Sequence, residues 1–338
     1  MKYFAHLLAA ILANAWIPAA IAENVMVIRF SHVVAPESPK GQAAEKFAQL
    51  VLQRSAGKVR VELFPNSRLY GDQDEMAALL MGNVEMLAPS LTKLKVLHAP
   101  EFEVFDLPFL FPDTEAAHRV TQGAIGKSLL AKLEPQGVIG LAFWDNGFKQ
   151  MSANRPLRNP ADFAGLTLRI QPSQILEAQM KALGAKARAL QFSEVYNALR
   201  AGAVDGTEGP VSNFYTQNLH LTQKYLTLSN HGYLGYAVIA NKKFWDGLPP
   251  EIRSTLDGAM RDATAYANAS AEKNNAAALE SLRKTGQTQV IELTDENKLA
   301  WRNALAKVQL QAPGRIPKGL IESIRREAGY TSATAALQ

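Results

Sequence analysis

The segment "LTLRIQ", Leu166 to Gln171, carries a single charge, Arg169, among leucine and isoleucine. An arginine does not give up its proton in a folded protein, and a buried guanidinium without an anion is too costly to persist. Its partner is either a protein carboxylate or the carboxylate or phosphate of a ligand, and an internal ion pair is the commoner arrangement. A second cation, Lys149, sits in another strand-like run, "FWDNGFKQMSA" (143–153), among aromatic residues and with Asp145 close enough in sequence to pair with it. One such cation decides nothing. Two on neighbouring strands, with "SNFYTQN" (212–218) and its Asn213 supplying amide and hydroxyl donors after a Gly-Pro turn, form a candidate cradle for a small dianion.

Further candidates lie at turns. His32 and Lys40 flank the proline-rich "VVAPESP", and Ser90 ends the strand-like "VEMLAPS". Residues just beyond the C-terminal ends of strands in α/β sheets face the ligand crevice. Taken singly, each has a plainer role: a satisfied structural histidine, a solvated lysine, a turn-forming serine. Phe192 and Tyr236 read as core or cleft wall rather than as specific contacts.

Catalytic patterns are missing. The sequence has no HExxH, no GxSxG, no Walker loop and no GxGxxG between a strand and a helix, and its six histidines lack ligand spacing. Asp72, Asp74 and Glu75 open a helix-like segment, where carboxylates complement the positive helix end more often than they form a catalytic pair. No catalytic residue, metal site or cofactor is expected. The absence of cysteine excludes disulfides, thiol nucleophiles and zinc–thiolate sites. A net charge of +5 suits anionic ligands, but no block of Lys and Arg is dense enough for nucleic acid, which is not expected as a partner.

The elements that must position these residues alternate. Strand-like "VMVIRFSHV" (25–33) precedes helical "KGQAAEKFAQLVLQRSAGK" (40–58), extended "VRVELFP" (59–65) and a short helix over 71–83. "VEMLAPS", "VIGLAFWD", "LTLRIQ" and "YAVIAN" follow as further strands, so the order argues for an α/β protein with largely parallel sheets. Pro249-Pro250 and Gly286 bracket one unbroken helical pattern, roughly 50 Å long at about 1.5 Å per residue. Its Ile252, Leu256, Met260, Ala263, Ala267 and Ala271 share one face. A helix of that length braces two lobes, and the cleft between lobes is the default ligand site.

With 338 residues, 47% hydrophobic and 20% charged, the chain is large enough for two lobes. Lys2 and a largely apolar run ending Ala20-Ile21-Ala22 predict an export signal over 1–22, cleaved near Glu23. His6, Asn14 and Pro18 and the lack of a following basic block argue against a retained anchor. The mature chain is thus expected outside the cytoplasm, with a frayed "TSATAALQ" end.

Several stretches together carry a resemblance: "RFSHVVAPESPKGQAAEKFAQLV", "FEVFDLPFLFP", "WDNGFKQMSANRPL", "LRIQPSQILEAQMKALGA", "FSEVYNALRAGAVDGTEGPVSNFYTQ" and "NHGYLGYAVIANKKFWDGLP". In this order, over nearly the whole mature chain, the sequence resembles the solute-binding subunit of TRAP transporters, and within it the C4-dicarboxylate-binding group. The resemblance implies a periplasmic protein of two α/β lobes closing over an organic acid and delivering it to TRAP membrane permease subunits, without chemistry on the ligand and as a monomer. It implies lobe I over 23–146 plus 235–275 and lobe II over 147–234 plus 276–338, with the helix over about 250–285 spanning both. By the same matching, Arg169 pairs with a ligand carboxylate, Lys149 is the second basic residue, and His32, Ser90, Phe192, Tyr236, Asn213 and Lys40 fall at the cleft. Gly209, in "VDGTEGP", stands where the family often has an asparagine, and Pro172 where it has a small polar residue. Alternatives are another hydroxy, keto or aromatic acid held by Arg169 alone, an exported enzyme acting on such an acid, and a sensor partner presenting it to a receptor.

Overall fold

The computed structural model describes residues 25–311 and 316–330. The expected export signal and the "TSATAALQ" end lie outside the described residues. Nine strands form the sheet: β1 (Met26–Ser31), β2 (Val59–Phe64), β3 (Met86–Leu87), β4 (Val138–Ala153), β5 (Thr167–Ile170), β6 (Lys186–Ala189), β7 (Gly206–Gly209), β8 (Tyr225–Asn241) and β9 (Gln289–Glu292). Their order is β2-β1-β3-β8-β4-β7-β5-β6, with β9 also on β8. The α/β two-lobe class expected from the sequence is the one found, with one difference. The pairs within each half, β1 with β2 and β3 and β5 with β6 and β7, are parallel, but β3–β8, β4–β8 and β4–β7 are antiparallel. The sheet is mixed because the two long strands that join its halves run in opposite directions.

Those strands set the geometry of everything between the halves. β4 and β8 pair from Val138↔Asn241 to Ala153↔Tyr225, with register breaks between Asp145 and Gly147 and between Lys149 and Met151. Such irregularities bend a strand and re-aim its side chains, and this pair brackets Lys149. Gly147 takes φ +95°, a conformation glycine adopts without a Cβ clash.

The helix Pro250–Thr285 lies along the crossing with the ends the sequence predicts, Pro250 in its first turn and Gly286 capping it at φ +66°. Of its expected face, Leu256, Met260, Ala263, Ala267 and Ala271 are buried and Ile252 is half-buried. Its first part closes a core with Ile28, Phe30, Phe47, Trp144 and Val238. Its last part, Ala278 and Leu282, joins a second core with Val195, Leu199 and Phe214. Polar side chains fix it to the crossing: Trp144 Nε1 donates to Thr264 Oγ1 at 3.0 Å, Asp145 N–H to Asn268 Oδ1 at 2.9 Å, and Asn275 Nδ2 to the Asn146 carbonyl at 2.9 Å. Asn275 Oδ1 also accepts from Ser212 N–H at 2.9 Å, which ties in the helix Val211–Thr216 that carries Asn213.

The helix Pro39–Arg54 starts on Ser38, whose Oγ accepts from Gly41 N–H, and it buries Ala43, Ala44, Phe47 and Val51. A Cβ on Gly41 would lie 2.4 Å from the Pro36 carbonyl oxygen, so only glycine permits the close return of chain that tucks Lys40 inward.

Candidate functional site

A cavity opens between the halves. Arg169, Lys149, Asn213, Ser90, Lys40, Tyr236 and Phe192 all line it. His32 does not. It is buried beside Phe30, their rings 6.5 Å apart edge to face, and burial together with the nearby Lys40 pushes its pKa down to about 3. It lines a separate surface pocket with Gln42 and Arg68.

Arg169 stands mid-strand on β5 and is buried, yet no carboxylate among the described residues comes within ion-pair range of it. Its Nε and Nη2 donate to the Leu190 carbonyl at 3.1 and 2.8 Å, and its guanidinium lies 5.7 Å from the Phe192 ring centre. Burial lowers its pKa to about 10, with Asp72, Glu208 and Glu194 opposing, so it is charged at neutral pH. A carbonyl takes up one edge of the fork and balances none of the charge.

Lys149 differs from its expectation twice. β4 and β5 are not neighbours, since β7 runs between them. That middle strand carries Glu208, whose Oε1 meets Lys149 Nζ at 2.7 Å with both side chains buried. Asp145, the partner suggested by sequence distance, instead accepts from Gly147 N–H at 2.8 Å and lies 3.1 Å from His118 Nε2. Glu208 Oε2 is 3.0 Å from His231 Nε2, and His231 Nδ1 is 2.8 Å from Ser229 Oγ. Burial opposes ionisation of Glu208, but Lys149 and His231 outweigh it and hold its pKa at about 2.

A fourth cavity cation, Lys93, escaped the sequence reading. Its Nζ pairs with Asp72 and, at 2.6 Å, with Glu75. The acidic cluster does open the helix, with Asp74 at the N-cap and Glu75 in the first turn, but Asp74 makes no side-chain capping bond, and Asp72 and Glu75 also grip a buried lysine. Asp72 Oδ2 also accepts from Phe192 N–H at 2.5 Å. Lys93 was legible only as one more lysine in "LTKLK"; its burial depends on a tertiary fold-back that no local pattern shows. Glu208 left a fainter signal, the second of two carboxylates, after Asp205, in "VDGTEGP".

Lys40 is fully enclosed. Its Nζ donates to the Ala88 carbonyl at 2.8 Å and lies 3.8 Å from the centre of the Tyr236 ring. Ser90 bridges Tyr236 across the sheet, and its Oγ, like Asn213 Oδ1, is buried without a hydrogen-bond partner. Asn213 Nδ2 donates to Tyr236 Oη at 3.3 Å. Gly209 lines the cavity, with open space on the side where a Cβ would project. The arrangement can hold an anion. Among the described residues no cluster of His, Asp and Glu has metal-binding geometry.

Residues 30–312 match the family model "Bacterial extracellular solute-binding protein, family 7", DctP. The chain is 54% identical over 306 residues to the C4-dicarboxylate-binding periplasmic protein DctP of Rhodobacter capsulatus, covering 90% of this chain and 92% of that one. It also superposes with a TM-score of 0.88 on a TRAP periplasmic solute-binding protein of Shewanella oneidensis solved with bound succinate, 38% identical over 90% of this chain and 99% of that one. A Pseudomonas aeruginosa counterpart with bound L-malate gives a TM-score of 0.82 and 43% identity over 84% and 99%. With this match of sequence and fold, the chain belongs to the DctP family of bacterial extracellular solute-binding proteins, family 7.

Proposed function

We propose that the protein captures a C4-dicarboxylate of the succinate, fumarate or malate type between its lobes and delivers it to TRAP membrane permease subunits, acting in the periplasm after removal of residues 1–22 and without turning the ligand over. The observation that carries this reading is Arg169, a buried guanidinium that lines the cavity with no protein carboxylate in range. Its planar fork favours a carboxylate over a diffuse negative charge. On this reading the lobes are 23–146 plus 235–275 and 147–234 plus 276–338; the long helix closes a core near each of its ends, and a third core draws residues from both. Water is excluded as they close, which strengthens each contact with the acid.

The pairing of Lys149 with Glu208 favours a second reading, in which Arg169 alone anchors a hydroxy, keto or aromatic acid. Thermal unfolding of the exported chain against a panel of acids separates the two. A dicarboxylate at about a hundredfold excess over its Kd adds about 2.7 kcal/mol, which raises the Tm by roughly 5 °C or more. Arg169→Ala is expected to abolish that shift while leaving the ligand-free Tm within a few degrees. No shift with any C4-dicarboxylate, or a full shift in the variant, overturns the proposal, as does a ligand recovered chemically changed after long incubation.

A further inference from the structure

We propose that the two halves turn about Asn146, and that its amide, buried without hydrogen bonds when they are closed, drives the empty protein to open. The proposal rests on the two-lobe reading above and concerns how its closure is balanced. Neither Asn146 nor Ser212, the second residue of the argument, lines the ligand cavity.

Three elements meet at this point. On β4, Asp145 pairs with Gly235 and Gly147 with Leu234, so Asn146 is an extra residue with no partner on β8. An inserted residue of this kind bends its strand, and Gly147 beside it takes the φ of +95° that the break requires. The long helix passes from one core to the other at the same level: Ala267 is its last residue in the first core and Ala278 its first in the second, with Asn275 between them. Ser212 lies in the helix Val211–Thr216, whose Val211 and Phe214 belong to the second core.

The polar groups at the joint are not all satisfied. Asn146 is fully buried, and neither its Oδ1 nor its Nδ2 has a hydrogen-bond partner. Ser212 Oγ is likewise buried and unpartnered. Asn275, which is tied to both residues, has nothing left to offer them. Its Nδ2 donates to the carbonyls of Asn146 and Ala271, each at 2.9 Å, and its Oδ1 accepts from Ser212 N–H.

A buried amide without partners keeps its desolvation cost and gains nothing in return. Asp72 accepts the N–H of Phe192 across the two halves, the arrangement of the closed form on this reading. Opening about Asn146 admits water to its amide and to Ser212 Oγ, so the closed form alone bears the cost. Contacts with the ligand must outweigh it, which leaves the empty protein open and its affinity below what those contacts alone would give. An apolar side chain of similar size at position 146 carries no such cost and favours closure.

Small-angle scattering and stopped-flow binding of succinate to the exported chain test this. Asn146→Leu is expected to lower the succinate Kd roughly tenfold, through slower release with an association rate changed by less than about threefold. Its ligand-free radius of gyration should fall below the parent's, a change that a merely structural role for Asn146 would not produce. Ser212→Ala should move both quantities in the same direction, by about threefold in Kd, and it decides the matter if the leucine variant does not unfold cooperatively. Succinate binding that is equal or weaker in both variants, with ligand-free radii unchanged from the parent's, overturns the proposal, since the amide is then satisfied in the closed form as well. A parent that binds no C4-dicarboxylate removes the reading of the ligand, and the radii of the ligand-free variants then decide the proposal by themselves.

Discussion

Glu208 is a carboxylate enclosed by Lys149 and His231, with one oxygen given to each. Its folded pKa of about 2 lies below the ordinary 4.5, so it stabilises the fold above pH 4.5 and loses that contribution as pH falls from there to about 2. The shift corresponds to about 3 kcal/mol. Urea unfolding across this range is expected to show Glu208→Gln destabilised by about that amount at neutral pH and with a flatter acid limb. A variant whose stability falls with acid as steeply as the parent's would assign the acid sensitivity to other groups. At this scale one charge in an apolar strand showed that Arg169 needs an anion but favoured an internal ion pair, and it was the family resemblance that pointed to a ligand carboxylate; among the described residues no protein carboxylate pairs with it. The sequence reading misplaced the partner of Lys149 because distance along the chain favoured Asp145, whereas the sheet brings Met151 opposite Glu208, two residues along β4 from Lys149.

Among the elements, the crossing of β4 and β8 holds the cation-bearing strands at fixed separation, and Gly147 is its weakest point to substitution. A Cβ there would adopt φ +95° and lie 2.9 Å from Asn275 Nδ2, the amide that ties the long helix to Asn146 and to the Asn213 helix. Gly147→Ala is therefore expected to cost about 2 kcal/mol and to weaken ligand binding as well, because Asn275 must move. A urea midpoint unchanged from the parent would show that the crossing tolerates the strain. The long helix was legible to both ends because proline and glycine mark them and small residues repeat along one face. The crossing strands were not, since the Asn146-Gly147 break made β4 read as two shorter pieces and alternation along a strand carries no information on the direction of its neighbour.

Across the whole molecule, Asp72 makes one of the contacts that join the two halves. Asp72, held by Lys93, accepts the N–H of Phe192, which begins a helical turn and stacks near Arg169. Gly71 lies beside it with Gln191 Oε1 3.1 Å from where its Cβ would be, so no side chain blocks the approach. These residues lie 120 positions apart, which is why the acidic cluster read as a helix cap and the contact was invisible in the sequence. On the proposed two-lobe reading this charge-assisted bond forms only as the lobes meet, so its loss is expected to act on release more than on capture. Asp72→Asn keeps an acceptor oxygen but gives up the charge, and it also leaves Lys93 to Glu75 alone. Stopped-flow measurement with succinate is expected to show release faster by roughly tenfold, with an association rate changed by less than about threefold. Equal release rates in variant and parent would mean that the ligand's own contacts hold the lobes shut and that Asp72 serves only to place Lys93 in the wall.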